Sequence, residues 1–137
     1  MNTVKTATVI DFNDRKIDVI LSGLVGDRMY AITFILDYVQ LQFDDHGLNA
    51  YVAMSVRDRQ ATYTAGAPGY RDALCACIGH PVSSVNRSDE ALVVGFANGT
   101  ITLSLLDPEF DGPETAQFFA PEGELIFRTG DICFAPR

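Results

Sequence analysis

The segment Tyr38–Val52 reads YVQLQFDDHGLNAYV and consists of two alternating stretches joined by a polar turn. Its apolar positions lie two residues apart within each stretch: Val39, Leu41 and Phe43, then Leu48, Ala50 and Val52. A period of two is typical of strands with one buried face. The segment therefore predicts an antiparallel hairpin with one face on a core.

A second hairpin pattern begins fifty-three residues later, in Ala91–Leu105, which reads ALVVGFANGTITLSL. Its turn contains Asn98 and Gly99, which both tolerate positive φ and favour a tight hairpin turn. The alignment of 17–52 with 70–105 needs no gap, and apolar and turn positions agree through the whole unit. This agreement predicts two α-β-β-β repeats.

Two amphipathic stripes predict the helices of these repeats. The first has the i, i+3, i+4, i+7 spacing of a helix with one buried face: Ile17, Ile20, Leu21 and Leu24. The second lies in Tyr70–Ile78 and ends at Gly79, because Pro81 prevents its continuation. Met29–Leu36 follows the first helix as a predicted strand.

The whole pattern predicts a single α+β domain over residues 1–137. We expect a mostly antiparallel, strongly bent sheet or open barrel, with two short helices packed on it. An edge strand is predicted in Lys5–Phe12 and a connecting loop in Arg57–Gly69. Glu124–Arg128 reads as a last strand, and the tail Asp131–Arg137 is apolar enough to dock.

Composition and charge limit the classes of partner. The chain is 47% apolar and 20% charged, as in ordinary soluble proteins, and its net charge of −8 repels nucleic-acid phosphates. The N-terminus lacks a signal-peptide pattern and no apolar run is long enough to span a membrane, so we expect a cytoplasmic bacterial protein. The acidic charge favours solubility or a basic protein partner. Asp111 and Glu114, in an acidic stretch, are candidate contacts for such a partner.

No sequence motif of catalysis or cofactor binding is present, whether a phosphate-binding glycine loop, a nucleophile elbow or a paired CxxC. Three cysteines are an odd number, which disfavours a disulfide framework, and Cys75 and Cys77 are badly spaced on a helix for a shared metal. Asp44 and His46 at the first hairpin tip favour a solvated turn, with a metal or acid–base site as the alternative. We therefore predict a protein that is not an enzyme and holds no cofactor.

A candidate interface follows from the comparison of the repeats. Phe34, Ile35 and Leu36 stand where the second repeat has the polar residues 87–89. Either the first strand is longer and buried there, or an apolar patch is exposed for a partner, with a homodimer as the main alternative.

A candidate ligand site follows from the second face of the strands. This face carries mostly uncharged polar side chains, among them Tyr38, Gln40, Gln42 and Tyr51. A groove of amides and tyrosines could recognise a small polar ligand or a protein surface. Packing against the polar margins of the helices is the plain alternative. The alternative function is thus a small-molecule-binding protein with a polar cleft between the two repeats.

Two segments carry a resemblance: DYVQLQFDDHGL (Asp37–Leu48) and GTITLSLLDPEFDGPETAQFF (Gly99–Phe119). They resemble a scattered group of small uncharacterised bacterial proteins, some similar to immunity proteins of toxin systems or to orphan products of mobile gene cassettes. Thr115 departs from the group, which has Ala after its Pro-Glu pair. The resemblance supplies no functional residues. It implies a non-enzymatic protein-interaction module, of which an immunity-like protein that masks a basic toxin is one form.

Overall fold

This computed structural model describes residues 14–106, 114–129 and 131–137. Two helices and eleven strands lie within these ranges. Helix α1 covers 14–22, and helix α2 is Tyr70–Cys75. The strands are β1 Met29–Ile35, β2 Tyr38–Phe43, β3 Gly47–Ala50, β4 Met54–Arg57, β5 Thr62–Thr64, β6 Val82–Arg87, β7 Ala91–Phe96, β8 Gly99–Ser104, β9 Ala116–Ala120, β10 Gly123–Arg128 and β11 Asp131–Pro136.

The strands form two antiparallel sheets. The six-stranded sheet has the order β1-β2-β3-β9-β10-β11, and the five-stranded sheet has the order β5-β4-β8-β7-β6. The predicted α+β character, the antiparallel pairing and the two short helices are confirmed. The prediction of one bent sheet or open barrel is corrected, because the chain leaves the first sheet after β3 and begins a second one with β4.

The opening hairpin forms as β2 and β3, with Leu41 paired to Leu48. Leu41, Phe43 and Leu48 are buried, as the period of two requires. Val39 is half-buried and packs against the same core. The side chains between these positions point to the opposite face of the sheet.

Each sheet is completed by strands from the other half of the chain. After β3, strand β4 pairs with β8 in the five-stranded sheet, and after β8, strand β9 pairs with β3 in the six-stranded sheet. The predicted loop Arg57–Gly69 therefore contains the strand β5, and the predicted tail Asp131–Arg137 contains β11. The predicted edge strand in Lys5–Phe12 lies outside the described residues.

The two sheets meet where β1 and β6 begin. Four backbone hydrogen bonds join the chain there: Gly26 N–H to Val82 O at 2.9 Å, Gly79 N–H to Met29 O at 2.7 Å, Met29 N–H to His80 O at 3.2 Å and Val82 N–H to Asp27 O at 2.8 Å. Gly26 and Gly79 both have positive φ, 96° and 91°, a region that L side chains disfavour. We call 26–29 with 79–82 the junction.

One buried cluster includes both sheets and both helices. Leu24 follows α1, Leu74 lies on α2, and Phe118 and Ile101 come from the six- and five-stranded sheets; each is 0 or 1% exposed. Burial of such large side chains contributes roughly 1.5–3 kcal/mol each. The junction is therefore supported by the packing of apolar side chains from both halves.

We expect Gly26→Ala to lower the free energy of unfolding by about 1–2 kcal/mol, because its backbone conformation is the left-handed one that a Cβ penalises. Open space surrounds the Cβ position, so strain alone acts. Urea unfolding measures the change. The control is Gly47→Ala, whose φ is not in that region and whose added Cβ would make ordinary contact with Phe119 at 3.7 Å. Equal losses in the two variants would contradict the role of the Gly26 conformation.

Candidate interaction face of the six-stranded sheet

A row of amide side chains crosses the middle of the six-stranded sheet on its outer face. Gln40 of β2 is opposite Asn49 of β3, and Asn49 is opposite Gln117 of β9. These residues point outward because they alternate with the core residues of the same strands. All three are half-buried, so neighbouring side chains cover much of their surface.

Two tyrosines connect the amides into a network. The Tyr51 hydroxyl donates a hydrogen bond to Gln117 Oε1 and accepts one from Asn49 Nδ2 at 3.5 Å. Gln40 Nε2 donates to the Tyr38 hydroxyl at 3.5 Å. The Tyr38 and Tyr51 rings lie 5.1 Å apart, centroid to centroid, at 46°. These contacts restrict the conformations that the five side chains can adopt.

Charged residues are absent from the three strands that carry this network: β2 reads YVQLQF, β3 GLNA and β9 AQFFA. Charge begins on one side, with Glu124 and Arg128 on β10 and Asp131 on β11, while β1 on the other side carries none. A centre without charge that is rich in tyrosine is typical of the core of a protein interface. We call Tyr38, Gln40, Asn49, Tyr51 and Gln117 the amide–tyrosine face.

The predicted ligand residues Tyr38, Gln40, Gln42 and Tyr51 thus come together, with all four half-buried. They lie on an open sheet face, and they line neither of the two cavities that the described residues form most clearly. Since neither of these two cavities lies on it, the face suits a large partner surface better than a small molecule.

The predicted interface residues divide. Phe34 is half-buried against the core, and the Arg71 guanidinium lies 4.6 Å from its ring centroid. Ile35 is 39% exposed and Leu36 96% exposed, so the apolar end of β1 projects into solvent. Glu114 is half-buried ahead of β9, and Asp111 lies outside the described residues.

A cavity of about 470 Å³ lies between α1, the β6–β7 turn and the β10–β11 hairpin. Arg87 lines it, with a side chain only 8% exposed. Its Nη2 lies 3.1 Å from Asp14 Oδ1 and its Nε 2.9 Å from Asp18 Oδ1. Burial alone would lower the pKa of Arg87, but the hydrogen bonds and charges of Asp18 and Asp14 more than offset it and raise the pKa. Arg87 therefore stays charged and attaches α1 to β6.

His46 is placed as a structural residue of the first hairpin turn. Its Nδ1 lies 2.8 Å from Asp27 Oδ2, and its ring stacks on Phe118 at 5.4 Å between centroids. Asp27 Oδ2 also accepts the Asp45 N–H at 2.8 Å, and Asp44 Oδ2 accepts the Arg28 N–H at 3.0 Å. The acidic tip thus anchors the β2–β3 turn to the junction.

Cysteines and metals offer no alternative site in the parts of the chain that the structure describes. Cys75, Cys77 and Cys133 are all free. Burial, with a smaller effect of Cys75, raises the pKa of the Cys77 thiol to about 11, so this thiol is unreactive at neutral pH. Residues 14–106, 114–129 and 131–137 include no cluster of potential metal ligands. Neither helix in these ranges is long and apolar enough to cross a membrane.

Sequence reasoning missed Gln117 and the Asp27–His46 pair. A signal for Gln117 exists, because it lies between the buried residues Ala116 and Phe118 in a short alternating stretch. Asp27 carries no such signal, since its contact with His46 depends on how two distant turns meet.

Comparisons with known proteins found no matching family model, no matching curated protein and no matching solved structure.

We expect Asp27→Ala to destabilise the fold by about 1–3 kcal/mol, because it leaves a buried His46 nitrogen and the Asp45 N–H without their acceptor. Thermal and urea unfolding measure the loss. Asp37→Ala, in the exposed β1–β2 turn, is the matched control and should change stability by less than about 0.5 kcal/mol. If both variants unfold like the wild type, the Asp27 bonds do not hold the hairpin.

Proposed function

We propose that this protein is a non-enzymatic interaction module and that the amide–tyrosine face binds a protein partner. The proposal rests on one comparison, between this face and the corresponding face of the other sheet. To compare the two faces, we match each residue of the first half with the residue fifty-three positions later, and this match is part of the proposal.

The two halves are proposed to be copies of one unit whose strands are exchanged between sheets. Cross-strand pairs support this, because all five β6–β7 pairs and four of the six β7–β8 pairs follow a β1–β2 or β2–β3 pair by fifty-three residues. Irregularities recur too, between Met29 and Ala31 and between Val82 and Ser84. The exchanged strands match as well. Met54 of β4 is paired with Leu103 of β8, and Ala116 of β9 is paired with Ala50 of β3, which lies fifty-three residues before Leu103.

Matched positions on the two outer faces carry different side chains. In the six-stranded sheet they are Tyr38, Gln40, Asn49, Tyr51 and Gln117, and in the five-stranded sheet Ala91, Val93, Thr102, Ser104 and Ser55. At these five matched positions, long hydrogen-bonding and aromatic side chains therefore occur on the six-stranded sheet only. Tyrosine is among the residues that contribute most to protein interfaces. This one-sided enrichment carries the proposal.

The proposed partner is a basic protein. The chain has a net charge of −8, and Glu122 and Glu124 lie near the edge of the face on the β9–β10 hairpin. Such charge would speed association and make it sensitive to salt, while the uncharged centre would provide most of the affinity. Masking of a basic toxin in a bacterial cytoplasm is the specific form that we propose.

A co-purification experiment tests the face. The bait is the full chain with Tyr51→Ala and Gln40→Ala, compared with wild type, in lysate of the source cells at low and high salt. A true partner is captured by the wild type and lost from the double variant, because the variant removes one ring and one amide from the centre of the face. The captured protein, purified, should bind the wild type at least about 10-fold more weakly at high salt.

The control bait carries Thr102→Ala and Ser104→Ala on the outer face of the five-stranded sheet, and it should retain the partner. Folding of each bait is checked by circular dichroism. The proposal fails if no protein binds the wild type and is lost from the Tyr51→Ala, Gln40→Ala variant. It also fails if such a protein is acidic and binds independently of salt.

The cavity beside Arg87 supports a second candidate, binding of a small molecule between the two halves. Its volume is within the range of ligand sites, and Ile17, Leu105 and Phe127 supply apolar walls beside charged residues. Thermal shift against a metabolite library tests it. A ligand at 100 times its dissociation constant should stabilise the wild type by about 2.7 kcal/mol, and Ile17→Trp, which fills the cavity, should abolish the shift. A shift that persists in Ile17→Trp would place the ligand elsewhere.

A further inference from the structure

The two sheets have four edge strands, and three of them carry features that discourage pairing with another chain. β5 has three residues, β11 begins with Asp131 and contains Pro136, and β6 reads VSSVNR, with four polar residues of six. Short length, charge, proline and polarity are the usual protections of a sheet edge. β1 has seven residues, reads MYAITFI, and contains neither charge nor proline.

Among residues 14–106, 114–129 and 131–137, backbone groups cover the outer edge of β1 only at its first residue. Met29 is bonded to the segment 79–80 at the junction, but within the described residues no backbone group other than those of β2 bonds to Tyr30–Ile35. Phe43 N–H donates to His46 O across the β2–β3 turn. Because bonding direction alternates along a strand, Phe43 bonds toward β3 and Gln40 therefore bonds toward β1, where it is opposite Thr33. The neighbours of Thr33, Ile32 and Phe34, then direct their N–H and C=O groups away from β2.

Side chains at this edge are apolar and exposed as well. Leu36 is 96% exposed, Tyr30 57% and Ile35 39%. Such residues at a sheet edge favour the addition of a strand.

We infer that β1 pairs antiparallel with β1 of a second copy of this chain, about a two-fold axis at Thr33, to form a continuous twelve-stranded sheet. The register follows from two constraints. Opposite residues must lie on the same face of the sheet, so the axis passes through a residue. An axis at Ile32 would place Ile35 of the second copy opposite Met29, whose backbone N–H and C=O groups are already bonded to 79–80. Thr33 gives the longest pairing that avoids it.

Side chains match in this register. Ile32 is opposite Phe34 of the second copy and Ala31 is opposite Ile35, a small residue against a large one. Thr33 meets its own image, a favourable cross-strand pair. Tyr30 of one copy lies opposite Leu36 of the second copy, and both are highly exposed in the single chain. No charged side chain of β1 meets a like charge, although the chain as a whole carries −8. A second copy thus fits this edge better than a charged peptide does.

This inference is independent of the amide–tyrosine face, since it uses the edge of the sheet and not its surface. Pairing would place two such faces side by side on one sheet. A dimer would thereby present a larger surface to the proposed partner.

Light scattering after size exclusion, over a dilution series of the full-length protein, tests the inference. The wild type should have twice the mass of one chain. Thr33→Asp should weaken the dimer by about 100-fold or more, because it places two carboxylates directly opposite each other at the axis. Thr33 is exposed, so the single chain should keep its fold, which circular dichroism checks. The control Thr62→Asp makes the same change on the edge strand β5 and should leave the dimer intact.

Amide hydrogen exchange of the wild type supplies a second readout that needs no variant. Protection of the Ile32 and Phe34 amides should fall on dilution, while protection of Leu41 in the core should not. A wild type that is monomeric at every concentration would overturn the inference. So would Thr33→Asp that remains dimeric, or Ile32 and Phe34 amides protected equally at all dilutions, which would mean that another segment of the same chain covers β1.

Discussion

The junction between Gly26–Met29 and Gly79–Val82 is the constraint on which the rest of the structure depends. Four backbone hydrogen bonds of 2.7 to 3.2 Å cross it in both directions, and Arg28 and Pro81 form a β-bridge between them. Two glycines with positive φ allow the chain to turn into β1 and into β6 there. Because both first strands begin at the junction, it sets the position of each sheet relative to the other.

Each helix also has a charged side chain that contacts a strand of the other half. Asp18 on α1 binds Arg87 on β6, while Arg71 on α2 lies over the ring of Phe34 on β1. In the proposed repeat these two contacts occupy matched positions, one as an ion pair and the other as a cation–π contact. If the halves are copies, as we propose, each helix packs on the first strand of the opposite copy. The outer faces then diverged in the same manner, one toward amides and tyrosines and the other toward small residues.

Sequence alone predicted the local elements well, and the reason is periodicity. The alternation in YVQLQF and the i, i+3, i+4, i+7 stripe around Leu21 depend only on neighbouring residues, and both elements form, although the helix ends at residue 22, before Leu24. Strand β5 could not be found in this way, because three residues are too few to show a period. The exchange of β4 and β9 between sheets is a pairing of distant segments, which local patterns do not encode. The candidate site was predicted in part for the same reason. Tyr38, Gln40 and Gln42 share one strand, whereas Gln117 reaches them only through the pairing of β9 with β3.

The amide–tyrosine face exists only when the two halves are joined, since it consists of β2 and β3 from one and β9 from the other. The account therefore predicts that both sheets fold and unfold together. Fluorine NMR of the full chain labelled with fluorophenylalanine measures this most directly during urea unfolding. Phe118, 0% exposed in the six-stranded sheet, and Phe96, 6% exposed in the five-stranded sheet, serve as reporters. We predict that both native resonances disappear with the same midpoint. Loss of the Phe96 resonance while that of Phe118 persists, or the reverse, would contradict the account.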